Sequence, residues 1–202
     1  MANEKKELVI RLEFIGTLKS FDDPVAVAMR KLIVMCDEDF IPPLSYRADT
    51  VTPIAKMDVH EKNLEPYFKM VSKQNNVVAY CDDEIVAFMS FRHDYPHDHF
   101  NSVVQDGDVI NYVSTICVDK DFRRHGIAKS FYDLIENKNN DLPQEVYGDC
   151  VATRTWDTNE SHIKLLEKRG YELTDTLPED RTTKKDEKLD TVYYAKRLTS
   201  AN

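Results

Sequence analysis

Residues 123–128 read Arg-Arg-His-Gly-Ile-Ala. Arg123, Arg124 and His125 bring positive charge to one place, immediately before the small Gly126, and Ala128 follows two positions on. An apolar run, "STICV", precedes them and ends at Val118, and an amphipathic run follows. A helix that starts here leaves backbone N–H groups unpaired and partly positive at its first turn. A loop curling into it can bring several N–H groups onto one anion, and glycine lets that backbone approach closely. The chemistry implied is phosphate binding at a strand-to-helix turn. The same residues would also suit an ordinary tight connection. No GKS or GKT follows Gly126 and no GxGxxG is present, which disfavours nucleotide hydrolysis and dinucleotide binding.

Two other stretches carry reactive side chains. Residues 91–100, "FRHDYPHDHF", hold His93, His97 and His99 with Asp94 and Asp98. Such a cluster can hold a metal, supply a base or form a polar loop. Pro96 keeps His93 and His97 off a common helix face, so the spacing makes no ready metal pair, and no metal is expected. His93, nearest the preceding strand, is the candidate base, since an ordinary imidazole titrates near pH 6.5. Residues 37–47, "DEDFIPPLSYR", combine Asp37, Glu38 and Asp39 with Phe40 and Tyr46. That set suits a cationic amine, or is simply solvated.

The elements that must position these groups can be read from periodicity. Leu8, Ile10, Leu12 and Phe14 alternate with Val9, Arg11, Glu13 and Ile15 as in a strand. "FDDPVAVAMRKLIVMC" has a cap at Asp22 or Asp23, a first-turn Pro24, and apolar Val25, Ala28, Met29, Leu32 and Cys36 at helical spacing. Pro42 and Pro43 forbid its continuation. Leu64, Tyr67, Phe68 and Val71 mark a second helix. "NVVAYC" and "EIVAFMSFRH" are strands around a turn at 82–84. A strand over 109–118, apolar on both faces, belongs in the middle of a sheet. Helix 125–138, strand 150–156, helix 159–169, a short strand, a charged loop over 178–188 and a final strand "TVYYAKRL" complete the chain. The order β, α, α, β, β, β, α, β, α, β, β contains one parallel βαβ crossover, expected to be right-handed. It describes a single α/β domain over 1–202 with a mixed sheet and helices on both faces.

Acidic residues outnumber basic ones, 36 to 27, for a net charge of −9, which argues against nucleic acid as a partner. Cys36, Cys81, Cys117 and Cys150 form no CxxC pair and read as reduced, buried small residues. The amino-terminal residues show no signal-peptide core, and no apolar run approaches the ~20 residues of a membrane span. The chain is expected in the cytoplasm, with no membrane partner.

The strand followed by "VDKDFRRHGIA" and a helix resembles the acetyl-CoA pyrophosphate motif, Q/R-x-x-G-x-G/A, of the GNAT superfamily of N-acetyltransferases. Arg123, Gly126 and Ala128 stand at its fixed positions. A second stretch, "NESHIKLLEKRGYEL" at 159–173, is similar to the family's later motif of Asn, helix and Gly-aromatic pair. The resemblance implies a mostly antiparallel sheet in which strands 109–118 and 150–156, a parallel pair, splay apart to admit the pantetheine arm. It implies pantetheine pairing near Ile116 and Val118, pyrophosphate held by the amides of Arg124, His125, Gly126, Ile127 and Ala128 with Lys129 close by, and a contact from Asn159. Direct acetyl transfer from acetyl-CoA to a small-molecule or peptide amine follows, with homodimerisation left open. Where many relatives carry a glutamate base this chain has Tyr112, and where many carry a tyrosine acid it has Leu166. Tyr112 and His93 are therefore the catalytic candidates, with Tyr132 and Tyr171 as partners for the departing thiolate. The two departures also keep open a non-catalytic acyl-CoA-binding domain on the same fold.

Overall fold

The computed structural model of the chain describes residues 9–46, 59–138, 142–183 and 185–199. Leu8 and Arg47, named above, lie outside them. Seven strands and four α-helices follow in the expected order: β1 (Ile10–Gly16), α1 (Pro24–Met35), α2 (Val59–Ser72), β2 (Asn75–Cys81), β3 (Glu84–Arg92), β4 (Ile110–Val118), α3 (Ile127–Glu136), β5 (Cys150–Trp156), α4 (Glu160–Lys168), β6 (Glu172–Thr182) and β7 (Lys188–Arg197). They form one sheet in the order β1-β2-β3-β4-β5-β7-β6. Every neighbouring pair is antiparallel except β4 and β5.

Local chemistry sets several boundaries. Asp23 caps α1, its Oδ1 accepting from the Val25 N–H at 2.8 Å, and Pro24 opens the first turn. The turn between β2 and β3 places Asp82 at φ 52°, a conformation Asp tolerates better than most residues. The charged stretch expected as a loop over 178–188 is instead strand at both ends, since β6 runs to Thr182 and β7 begins at Lys188. The reason lies in its place at the sheet edge. An edge strand pairs on one side only, and its polar side chains remain in water. Glu179 at φ 53° takes up the register shift between Leu177 and Arg181.

Neighbouring residues of a strand point to opposite faces. Val78 and Phe88 pack with Met29, Leu32 and Ile33 of α1 and Leu64, Phe68 and Val71 of α2. Val77, Ala87, Met89 and Val113 pack with Ile127, Phe131 and Ile135 of α3 and Leu166 of α4. Helices thus cover both faces.

The segment between β3 and β4 departs from a plain surface loop. Phe100 is fully buried and packs with Ile110, Tyr112, Cys150, Ala152, Tyr193 and Ala195. Burial of such a ring contributes on the order of 2 kcal/mol. The histidine-rich stretch is therefore folded down as a plug over β4, β5 and β7. Its three histidines face three different partners: His93 Nδ1 meets Asn111 Oδ1 at 2.9 Å, His97 Nε2 meets the Asp108 carbonyl at 2.9 Å, and His99 Nδ1 meets Asp175 Oδ2 at 2.7 Å. Among the described residues no group of three or more His, Cys, Asp or Glu side chains is placed to hold a metal. All four cysteines are free thiols, and Cys36, Cys117 and Cys150 are buried. No helix among the described residues is long and apolar enough to cross a membrane.

Candidate active site

The parallel pair makes the site. β4 and β5 are in register from Ile110 with Cys150 to Val113 with Thr153, and no further. Thr153 Oγ1 donates to the Val113 carbonyl at 3.0 Å and ties the last rung. Beyond it, 114–118 and 154–156 diverge as the arms of a fork. On its other side β4 remains paired with β3, but Ser90 faces Thr115 while Phe91 faces Val113, so Ser114 is an extra residue. Such a bulge bends a strand, and here it bends β4 at the first position past the apex. At the closed end Gly148 lies against backbone. A Cβ there would stand 2.6 Å from the Val109 carbonyl oxygen and 3.1 Å from the Asn111 nitrogen.

The β4 arm leads into the predicted phosphate turn. A short 3-10 turn over Lys120–Phe122 follows Val118, Arg124 adopts φ 66°, and Gly126 adopts φ 82° at the N-cap of α3. No side chain caps that helix. A Cβ on Gly126 would meet nothing within 4 Å, so the space in front of these amides is open. Alternation of ordinary and left-handed residues points successive N–H groups to one side, the geometry of an anion nest. Arg124 and His125 are exposed beside it. Lys129, also at this end, is 2.7 Å from Asp133.

Arg123 behaves differently from a free phosphate ligand. Its Nε donates to the Val118 carbonyl at 3.1 Å, and its Nη2 donates to Asp39 Oδ2 at 2.6 Å. Arg123 thus clamps the end of β4 to the turn that follows α1. The Val118 carbonyl is further engaged by the Cys36 thiol at 3.6 Å. Asp37 accepts from the Ser45 N–H at 3.0 Å and from its hydroxyl at 2.5 Å. Two of the three carboxylates read as suitable for an amine therefore serve the chain itself. Ile116 lies between these points on the β4 arm, half-buried. Asn159, at the N-cap position of α4, does not cap it. Its Nδ2 donates to Thr155 Oγ1 on the β5 arm at 2.9 Å. Ile116, Val118 and residues 124–129 follow one another along the β4 arm and the turn beyond it, while Asn159 is tied to the β5 arm.

The catalytic candidates lie near the fork apex. Tyr112 is buried and stacks on Tyr95, with ring centroids 4.0 Å apart. Burial raises its pKa, and the Arg154 charge opposes this in part. His93 carries a defined tautomer in its neutral form. Asn111 Nδ2 donates to the Val146 carbonyl at 2.8 Å, so its Oδ1 faces His93 and accepts from Nδ1–H, leaving the lone pair on Nε2. Tyr171 donates to Glu136 Oε1 at 3.1 Å and is committed there.

Tyr132 stands apart from these. Its hydroxyl lies 2.9 Å from His162 Nε2. In the Nε2–H tautomer His162 donates to Tyr132 and leaves the phenol its own proton to give, while Thr153 nearby donates to the apex carbonyl. Burial raises the Tyr132 pKa and lowers that of His162 to about 4, so the imidazole is neutral at pH 7. His162 was not anticipated from sequence. Its signal was its position one turn before Leu166, on the same face of the predicted helix.

The overall fold recurs in known structures. Arabidopsis thaliana NAA60, solved in complex with a bisubstrate analogue, is 14% identical, covers 95% of this chain and 100% of that one, and superposes with a TM-score of 0.61. The NatC complex bound to Gag peptide and CoA is 15% identical over 94% of this chain and 99% of that one, at 0.58. The ribosomal-protein-alanine N-acetyltransferase from Brucella melitensis is 16% identical over 95% and 100%, at 0.55. At these identities the likeness is one of fold. A search among curated proteins found no match. The acetyltransferase (GNAT) domain model matches residues 72–173, just over half of the 202-residue chain. The chain belongs to this acetyltransferase family.

Proposed function

We propose that this chain transfers an acetyl group from acetyl-CoA to the amine of a small molecule or peptide, directly and without an acyl-enzyme. The observation that carries this reading is the fork between β4 and β5, which opens onto the uncapped amides of α3 with clear space at Gly126. The residues suit the cosubstrate at three points. The amides of 124–128 would receive its pyrophosphate, the β4 arm near Ile116 would pair with its pantetheine, and Asn159 would meet the same arm from β5. Acetyl-CoA supplies the activated acetyl thioester.

The new N–C bond forms at the acetyl carbon as the C–S bond breaks. The amine gives up one proton, and the sulfur takes one. An alkylamine is mostly protonated at pH 7, with a pKa of about 10, so a base must act first. His93 Nε2 is the assigned base, reaching the amine directly or through water. Backbone N–H groups past the bulge of β4 face the oxygen that gains charge as the amine attacks. Tyr132 donates to the departing sulfur, and His162 holds its hydroxyl in place. Orientation of amine and thioester in the fork contributes alongside this proton chemistry.

Gly126→Trp fills the space in front of the amides. Calorimetry is expected to show loss of acetyl-CoA binding in a variant whose circular dichroism remains native. A folded variant with unchanged affinity would remove the phosphate assignment, and with it the reading.

A further inference from the structure

A cleft of about 780 Å³ on the acceptor side lies between the end of α2, the start of β2 and the end of β3. It is lined by Lys69 of α2 and Lys73 just after it, Arg92 and His93, and Gln74, along with Thr17, Pro66, Met70, Asn75 and Phe91, and among the described residues no carboxylate lines it. Among the described residues Lys69, Lys73 and Arg92 form no ion pair. Glu65, on the same helix, is turned to Arg30 at 3.4 Å. In a chain of net charge −9, three uncompensated cations around one cleft depart from the average surface.

The cleft is joined to the fork. Gln74 Oε1 accepts from the Ser114 hydroxyl at 2.5 Å, and Ser114 is the bulge residue beside the apex. Arg92 lies over the Tyr95 ring at 4.7 Å, Tyr95 stacks on Tyr112, and Arg154 acts on Tyr112 from the β5 arm. Arg154 donates to Tyr193 Oη at 3.3 Å and is otherwise exposed. A series of contacts among cations and tyrosines thus links cleft and apex, while Asp37 and Asp39 are occupied elsewhere.

We infer that the acceptor is an amine that also carries carboxylate groups, its acidic part seated in this cleft and its amine at the fork. Cations placed along the approach attract such a substrate and fix which end leads. A cationic acceptor such as a polyamine would meet like charge. The inference rests on the acetyl-transfer reading above.

The test uses the full chain with saturating acetyl-CoA and follows released CoA thiol. Three tripeptide amides with a free amino terminus are compared: Ala-Glu-Glu, Ala-Gln-Gln and Ala-Lys-Lys. The acidic peptide is expected to exceed the neutral one by about tenfold or more in kcat/KM, as a charge-assisted hydrogen bond would give. The Lys69→Gln, Lys73→Gln, Arg92→Gln triple variant should bring that ratio near one, mainly through KM. Calorimetric titration of the same peptides into CoA-loaded protein supplies a readout without turnover. Neutral or basic peptides matching the acidic one in both assays would overturn the proposal, as would an acidic preference that survives in the triple variant. Acetyl-CoA binding is measured separately. Its failure would strike the acetyl-transfer reading, whereas a lack of acidic preference with acetyl-CoA bound strikes only the acceptor class.

Discussion

His162 allows a quantitative test of the apex. Its ring is half-buried against the Tyr132 hydroxyl of α3, and burial lowers its pKa to about 4. An unfolded histidine titrates near 6.5, so between these values the folded chain binds fewer protons than the unfolded one. The contribution to stability is present above about pH 6.5 and lost as the pH falls toward 4. At pH 5 the unfolded ring is almost fully charged and the folded ring almost fully neutral. The linkage relation then gives a loss of about 2 kcal/mol between pH 7 and pH 5. Carboxylates titrate mostly below this window. The control is His162→Gln, which leaves a side-chain amide in reach of Tyr132 and nothing to ionise. Urea unfolding, followed by the single tryptophan, Trp156, is measured for both proteins at both pH values. The wild type should lose about 2 kcal/mol more than the variant on acidification. Equal losses would show that the ring is not buried in its neutral form, and its hold on the Tyr132 hydroxyl would fall with it.

Tyr132→Phe keeps the ring and removes the proton donor. A fall in kcat of about 10- to 100-fold with unchanged acetyl-CoA affinity is expected, and unchanged turnover would relieve Tyr132 of its role. Gly148→Ala drives a methyl group to 2.6 Å from the Val109 carbonyl, which already accepts from the N–H groups of Asp149 and Cys150. A loss of about 2 kcal/mol in urea unfolding is expected, as for overpacking elsewhere. Glu136→Gln removes the negative charge that meets Arg169 at 2.9 Å and Lys196 at 2.7 Å, with the Glu136 side chain only 9% exposed. The cost should be about 3 kcal/mol, at the lower end for a broken buried pair because Asp133 still faces Arg169. Thermal unfolding within a degree of wild type would contradict that burial.

Much of the frame was legible because its signals are local. The cap at Asp23, the proline that opens α1, the seven strands and four helices in order, and the Gly126 turn all arise from neighbours in sequence. What escaped depends on distant partners. Nothing local to "DEDF" reveals that Asp39 will meet Arg123, or that Asp37 will be consumed by Ser45. The polarity of "FRHDYPHDHF" hid Phe100, a single residue whose burial decides the course of the whole segment. The charge of 178–188 suggested a loop because composition does not distinguish a solvated loop from a sheet edge. The pairing of Tyr132 with His162 needed two helices to be placed side by side before either residue gained meaning.

The four rungs between β4 and β5 carry a mechanical meaning as well. The same β5 pairs with β7 over seven positions, so the sheet is two stiff plates, β1–β4 and β5–β7, joined by a short seam. A molecule lying in the fork bridges both plates beyond the last rung, like a rivet driven past the end of a weld. Its arrival should slow the opening of the seam more than the fraying of either plate. Amide exchange at 110–118 would then report occupancy of the fork before any acceptor is known.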